Sequence, residues 1–261
     1  MEIIMSAQFT GPTLGVTKLG FSYPDKADVL RDINLEIQSG EKVGLIGPNG
    51  AGKTSFFLSI CGVLKPSCGD ISVLGKPVKS GDFYPEIGMV FQNPDDQLFC
   101  PSVRDDVAFG PQNMGLSKSE IEARVSEALL AVGCKELAER PPHHLSGGEK
   151  RMVSIAGVLA MRPDLVIYDE PSANLGMRSR RRVIKLLQKS TQTILISSHD
   201  LELILEVCDR VVMLDNGQIV GDGDPRQIMD DEELMEAHGQ EKPHSSEPRT
   251  PGSCLTTVSL M

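Results

Sequence analysis

Apolar and polar positions alternate along residues 29 to 37, where Val29, Arg31, Ile33, Leu35 and Ile37 stand against polar neighbours, and this period of two predicts a β-strand. Residues 14 to 23 read as the strand before it, with Pro24-Asp25 as the turn of an antiparallel hairpin. Further strands are predicted at Val43-Gly44-Leu45-Ile46, at Gly69 to Gly75, at Ile87 to Phe91 and at Thr193 to Ser198, with a buried parallel strand at Asp164 to Glu170. From Pro101 to about Leu159 the period changes to that of helices, with Ile121, Val125, Ala128, Leu129 and Val132 on one face. Ser55-Phe56-Phe57-Leu58, Arg178 to Lys189 and Leu201 to Cys208 add helices, and Arg210 to Leu214 with Gln218 to Val220 forms a hairpin around Asn216-Gly217.

Strand and helix therefore alternate, and the expected fold class is α/β: a mostly parallel open sheet with helices on both faces. An N-terminal antiparallel β-subdomain precedes it, and an α-helical subdomain is inserted over about residues 101–160. Residues 1–13 are expected to be a flexible leader and 14–238 the folded domain. The segment 239–261, proline- and serine-rich with no apolar period, is expected to be a disordered tail.

Composition narrows the function. The 261 residues carry 26 Lys+Arg against 36 Asp+Glu, a formal charge of -10, so no surplus of cations is available for a nucleic-acid backbone. Cys61, Cys68, Cys100, Cys134, Cys208 and Cys254 form no C-x-x-C pair, and the expectation is reduced, buried thiols in a cytosolic protein. The N-terminus lacks the basic region and apolar core of a secretory signal, and no apolar run approaches the roughly 20 residues of a membrane span. Work at a membrane would need another chain to bring this one there.

The chemistry centres on Gly47-Pro48-Asn49-Gly50-Ala51-Gly52-Lys53-Thr54, which follows an apolar strand and opens into a helix at Ser55. Glycines at positions 47, 50 and 52 let backbone N–H groups fold around phosphate oxygens, helped by the helix N-terminus. Lys53 supplies charge to the β- and γ-phosphates, and the Thr54 hydroxyl is placed to ligate Mg²⁺, which points to a nucleoside triphosphate. Asp169 and Glu170, at the end of an apolar strand, fit a Mg²⁺ ligand and a residue that polarises water. Ser146, Gly147 and Gly148 head a helix, where they form either a cap or a second anion site. Tyr23, at a strand end, either packs on the surface or stacks on a base. Lone residues such as Gln92 and His199 carry no message by themselves.

Tyr23, Gly47 to Thr54, Gln92, Leu145 to Glu149, Leu165 to Glu170 and His199 match, in order, the A-loop, Walker A, Q-loop, signature, Walker B and switch histidine of ATP-binding-cassette (ABC) ATPases. The chain resembles that family from residue 14 to 220. The resemblance implies a P-loop, RecA-like core and a head-to-tail dimer in which each ATP lies between the phosphate loop of one subunit and Ser146 to Gly148 of the other. It implies Glu170, His199 and Gln92 as catalytic residues. It also implies a nucleotide held by Tyr23, Gly47 to Ser55 and Ser146 to Gly148, and Mg²⁺ held by Thr54, Gln92 and Asp169.

A finer resemblance follows. Asn93 to Phe99, then Val103, Asp105 to Pro111, Asn113 and Gly115-Leu116, look like the Q-helix segment of energy-coupling-factor transporter ATPases. Pro141-Pro142-His143-His144 and Glu236-Ala237-His238-Gly239 look closest to the cobalt/nickel branch. This implies a peripheral ATPase on the cytoplasmic face of the cell membrane. Its partners would be a second ATPase subunit, the same or different, a transmembrane scaffold whose arginines meet acids such as Asp95 and Asp96, and a substrate-binding membrane subunit. A B-vitamin importer and a non-transport, ATP-gated clamp stand as alternatives. One departure is plain: where the family pattern has Ser-Ala-x-Leu-Asp, this chain has Ser172-Ala173-Asn174-Leu175-Gly176.

Overall fold

The computed structural model describes residues 10–243. The chain runs through β1 (Leu14–Tyr23), β2 (Lys26–Ile37), β3 (Lys42–Ile46), α1 (Lys53–Ile60), β4 (Cys68–Val73), β5 (Lys76–Pro77) and β6 (Ile87–Val90). The helical block follows as α2 (Val103–Asn113), α3 (Lys118–Ala131) and α4 (Gly147–Leu159). The α/β alternation then resumes with β7 (Leu165–Asp169), α5 (Met177–Lys189), β8 (Thr193–Ser197) and α6 (Leu201–Val207). It closes with β9 (Arg210–Asp215), β10 (Gln218–Gly223), α7 (Pro225–Asp230) and α8 (Glu232–Ala237).

One sheet has the order β10-β9-β3-β8-β7-β6 and is parallel throughout except for the β9–β10 hairpin. The other is the antiparallel sheet β2-β1-β4-β5. Because β3, β7 and β8 are apolar through their central residues, they bury both faces, and two cores result. The core between the sheets holds Leu14, Ile33, Leu45, Ile167 and Leu195 with Phe56 and Phe57 of α1. The other packs Val166, Ile194 and Ile196 against the helices and continues into α2, α3 and α4 through Val107, Leu129 and Val153. Serine caps start the helical block, since Ser102, Ser117 and Ser146 each accept a hydrogen bond from an N–H in the first turn of α2, α3 and α4.

Several expectations are corrected. The alternation expected in β2 breaks, because Val29 and Leu30 are both buried while Arg31 is exposed. Asp28 and Asp32 sit at φ of 53° and 50°, the β1–β2 register shifts, and each irregularity moves the following side chains to the other face. Not all cysteines are buried. Cys134 and Cys208 are, Cys61 and Cys100 are partly so, and Cys68 is exposed on β4. Burial pushes the Cys61 and Cys208 thiols up to about 12, so both are unreactive. Cys254 lies outside the described residues.

Helices α7 and α8 were not anticipated, although Asp224-Pro225 and Asp231 are readable N-caps. The leader and tail fall largely outside the described residues. At their inner edges Thr13 is buried beside Thr193, and Lys242 lies 3.4 Å from Asp230.

Candidate active site

The phosphate loop leaves the sheet at Ile46 and turns at once. Gly47 has a φ of 144°, and a Cβ there would lie 1.9 Å from the Leu214 carbonyl oxygen of β9, so no other residue fits. Gly50, at φ 81°, faces open space, which leaves its side of the loop free for a ligand. The far end is anchored by Gly217 N–H donating to the Ala51 carbonyl at 3.2 Å.

Lys53 opens α1 and is buried, its Nζ donating to the carbonyls of Gly47 (2.7 Å) and Pro48 (3.1 Å). Burial lowers its pKa, while Glu170 and Asp169 pull it back up. The Thr54 hydroxyl donates to Asp169 Oδ2 at 3.0 Å, and the Ser197 hydroxyl to Asp169 Oδ1 at 2.6 Å. Glu170 has a φ of 48° and is held by its N–H on the Ser197 carbonyl. Its Oε2 accepts from His199 N–H at 3.2 Å, whereas Oε1 is buried with no partner, 3.7 Å from His199 Nε2. His199 Nε2 also lies 3.0 Å from Asn49 Oδ1.

A cleft of about 380 Å³ gathers these groups, lined by Tyr23, Asn49 to Ser55, Gln92, Asp169, Glu170 and His199. Tyr23 OH is 3.1 Å from Ser55 Oγ, and its ring stands edge-on to Phe21. Lys26 and Val29 also line the cleft and escaped sequence reasoning, as did Ser197, whose hydroxyl donates to the Asp169 carboxylate and which accepts from the Glu170 N–H. Arg180 was missed too. Its guanidinium makes a bidentate pair with Asp200 (2.5 and 2.8 Å), the N-cap of α6 and the residue after His199.

The residues fit a Mg-nucleotide: a loop with one glycine face open, a buried lysine, a hydroxyl and carboxylate 3.0 Å apart, and a buried carboxylate oxygen without a partner. Mg²⁺ keeps several waters and takes few protein ligands, so Thr54 and Asp169, with Gln92 in the same cleft, fit it beside substrate phosphates.

Ser146, Gly147 and Gly148 do not reach this cleft. They form a capping box, with the Ser146 hydroxyl and N–H both donating to Glu149 Oε2 (2.6 and 2.8 Å). These bonds from Ser146 hold the Glu149 carboxyl below its usual range. Of the two readings, cap or anion site, the single chain thus shows the cap, with the hydroxyl turned into its own helix end. Gly147 has open space around it, whereas a Cβ on Gly148 would meet Ser179 Oγ at 2.3 Å.

The Q-helix segment also differs in detail from expectation. Asp95 is paired with Lys150 at 2.5 Å and does not line the neighbouring groove. That groove, about 280 Å³, has Phe83, Phe91, Phe99 and Phe109 partly exposed along it, with Asp96 and Asp106 as its acids. Asp106 accepts from the N–H groups of Phe99 and Cys100 through Oδ1, and its Oδ2 has no partner.

A phosphate loop after β3, an acid pair closing β7 and a helical block between β6 and β7 define a P-loop nucleoside triphosphatase. A model of the ABC transporter family matches residues 30–173, and the chain belongs to that family. Within it the chain is an ATP-binding subunit of the energy-coupling-factor type. It is 52% identical to a putative ABC transporter ATP-binding protein of Synechocystis sp. over 90% of this chain and 82% of the relative. It is 46% identical to the energy-coupling factor transporter ATP-binding protein EcfA of Methanocaldococcus jannaschii over 83% of this chain and 81% of that protein. The solved structure of cbiO1 from Clostridium perfringens, part of the ABC transporter complex cbiONQ, superposes with a TM-score of 0.75 at 37% identity. The match covers 87% of this chain and 94% of that one. ATP-binding subunits of this family are ATPases coupled to transport. Among the described residues no helix is long and apolar enough to cross a membrane.

Proposed function

We propose that this chain hydrolyses Mg-ATP as one half of a head-to-tail dimer that drives an importer of cobalt or nickel ions from the cytoplasmic face of the membrane. The observation that carries the ATPase reading is Glu170. Its Oε1 is buried without a partner beside His199, in the same cleft as Lys53 and the Thr54–Asp169 pair. An unpaired buried carboxylate oxygen is costly, and a water in line with a γ-phosphate would satisfy it. Lys53 binds the β- and γ-phosphates, exchanging its two loop carbonyls for them. Bound Mg²⁺ would neutralise phosphate charge, with Thr54, Asp169 and Gln92 as the residues that hold it. Glu170 orients and deprotonates the water, His199 leaves Asn49 for the γ-phosphate, and Tyr23 stacks on the base. Since Ser146 to Gly148 lie outside this cleft, a second subunit supplies them, and the Ser146 hydroxyl must release Glu149 to do so.

The groove beside Asp96 and Asp106 takes a cationic segment of the membrane scaffold. The cargo reading is supported by the sequence around His143, His144 and His238; His143 and His144 have no ligand role. His238 Nδ1 lies 2.8 Å from Asp215 Oδ2 and ties α8 to the β9–β10 turn.

The test of the ATPase reading is Glu170→Gln. It should still bind ATP, turn over roughly 10²–10⁴-fold more slowly, and elute as a dimer with Mg-ATP. A monomer that hydrolyses normally would sink the assignment. Uptake of labelled cobalt, nickel and a B vitamin by cells carrying the chain with its co-purifying membrane subunits decides the cargo; vitamin uptake alone would refute the metal reading.

A further inference from the structure

Arg151, in the second turn of α4, is among the largest fully buried side chains, at 1% exposure. Among the described residues no carboxylate forms an ion pair with it. Its Nη1 donates to the Phe91 carbonyl at 2.5 Å, its Nη2 to the Gln92 carbonyl, and its Nε has no partner. Two successive backbone carbonyls are matched by the planar, rigid fork of a guanidinium, whose two Nη groups each take one of them. Removing such a cation from water is expensive, and two neutral acceptors offset only part of that cost. The arrangement is therefore poor as a stabilising device and specific as a geometric one.

A second side chain fastens the same segment. Gln97 Oε1 accepts from Phe91 N–H at 3.0 Å, while its Nε2 donates to the Ser154 carbonyl at 3.2 Å. The exit of β6 is thus pinned to α4 at Arg151 and at Ser154, one turn apart on the same helix face. Helix α4 starts at the Ser146 to Gly148 turn, so that turn and Gln92 are joined through about one turn of rigid helix. Gln92 lines the nucleotide cleft of its own chain, whereas Gly147 faces a separate depression that Gln92, Arg151 and Ala173 also line.

We propose that Arg151 is a positioning residue that ties Gln92, serving this chain's nucleotide, to the Ser146 to Gly148 turn, serving the partner's, so that filling one site orients the other. This rests on the head-to-tail reading above. Arg151 touches no reacting atom. It sets the distance between two groups that act on different ATP molecules, and a displacement of about 1 Å at either one is enough to slow turnover on the order of 100-fold.

The test uses the full chain. Arg151→Lys keeps the charge but replaces the rigid fork with a single ammonium on a flexible stem, and Arg151→Met keeps most of the volume and grips no carbonyl. Both should bind ATP as the wild type does, because the phosphate loop is untouched. Turnover should fall about 10- to 100-fold, cooperativity in ATP should fall to that of independent sites, and half-saturating Mg²⁺ should rise because Gln92 is no longer held. Melting is measured first. If the Arg151 variants do not fold, Gln97→Ala, which frees the same segment without stranding a buried cation, carries the test with the same expected pattern. Gln92→Ala separates the two levels of argument: an unimpaired Gln92→Ala overturns the role of Gln92 itself. An impaired Gln92→Ala beside a folded Arg151→Met with wild-type turnover, cooperativity and Mg²⁺ dependence overturns the proposal for Arg151 alone. A drop in turnover with cooperativity and Mg²⁺ dependence unchanged overturns it as well, since a merely structural role would do that much.

Discussion

Replacing Gly176 with aspartate should both stabilise the chain and raise its hydrolysis rate. Gly176 is the N-cap of α5, at φ −65° and ψ 158°, with no side-chain cap and no acidic residue in the first turn. It lies outside the regular helix, so the usual cost of glycine inside an element does not apply. A Cβ there would meet nothing within 4 Å, and the backbone conformation is open to any residue. The new carboxylate would accept from the first-turn N–H groups, worth a few tenths of a kcal/mol over glycine. It would also sit at the positive end of the helix dipole, worth about 0.3–1 kcal/mol. Together these give about 0.5–1.3 kcal/mol, or about 1–5 °C in Tm for a domain of this size. If the loop from Ser172 to Gly176 also sets the closed dimer, Gly176→Asp should raise phosphate release several-fold at saturating ATP without tightening ATP binding to the monomer. Melting and phosphate release against protein concentration separate the two effects. No rise in Tm would refute the capping argument. A rise in Tm with unchanged rate and concentration dependence would confine Gly176 to the helix end and leave closure to the membrane partner.

Three further outcomes follow from the site. Mg-ATP at about 100 times its dissociation constant should stabilise the fold by roughly 2.7 kcal/mol, and Lys53→Ala should abolish most of the melting shift; a retained shift would place the nucleotide elsewhere. Glu149 has a depressed pKa, so its cap contributes fully above the ordinary carboxylate range and is lost as pH falls through the lowered folded value. Protection of the Ser146 amide, whose N–H donates to Glu149, should therefore fall relative to its intrinsic exchange rate only in acid below that range, and protection lost near neutrality would contradict the capping box. Asp106→Asn and Asp96→Lys should each weaken co-purification with the membrane scaffold more than they change ATPase activity, whereas Asp95→Lys should break only the pair with Lys150. Equal loss from all three would show that total charge, not the groove, governs docking.

The phosphate loop, the acids at the end of β7 and the main alternation of strands and helices as far as β10 were legible in the residues alone, because their causes act within a few positions. Gly47 and Gly52 are needed where the backbone takes a positive φ, and Asp169 and Glu170 end an apolar run that can only be a buried strand. Even the hairpin at Asn216-Gly217 was readable from two residues.

Groups whose surroundings come from distant chain were not legible. Nothing near Asp95, Asp96 and Asp106 in sequence says that Lys150 claims the first and the aromatic groove receives the other two. Arg31 falls on the wrong side of its own alternation because positive-φ residues on either side change the phase of β2. The residues at Ser146 fit either a cap or an anion site, and only the folded geometry shows that the single chain holds the cap. Arg151 reads in the sequence as one more cation on an amphipathic helix; its burial and its grip on residues 91 and 92 exist only once α4 packs across the end of β6. By itself the sequence determined which chemistry the chain carries, since backbone conformation and apolar period are local. Tertiary structure decided which polar groups are satisfied internally and which remain for a ligand or a partner, since desolvation and hydrogen-bond competition depend on everything packed around them.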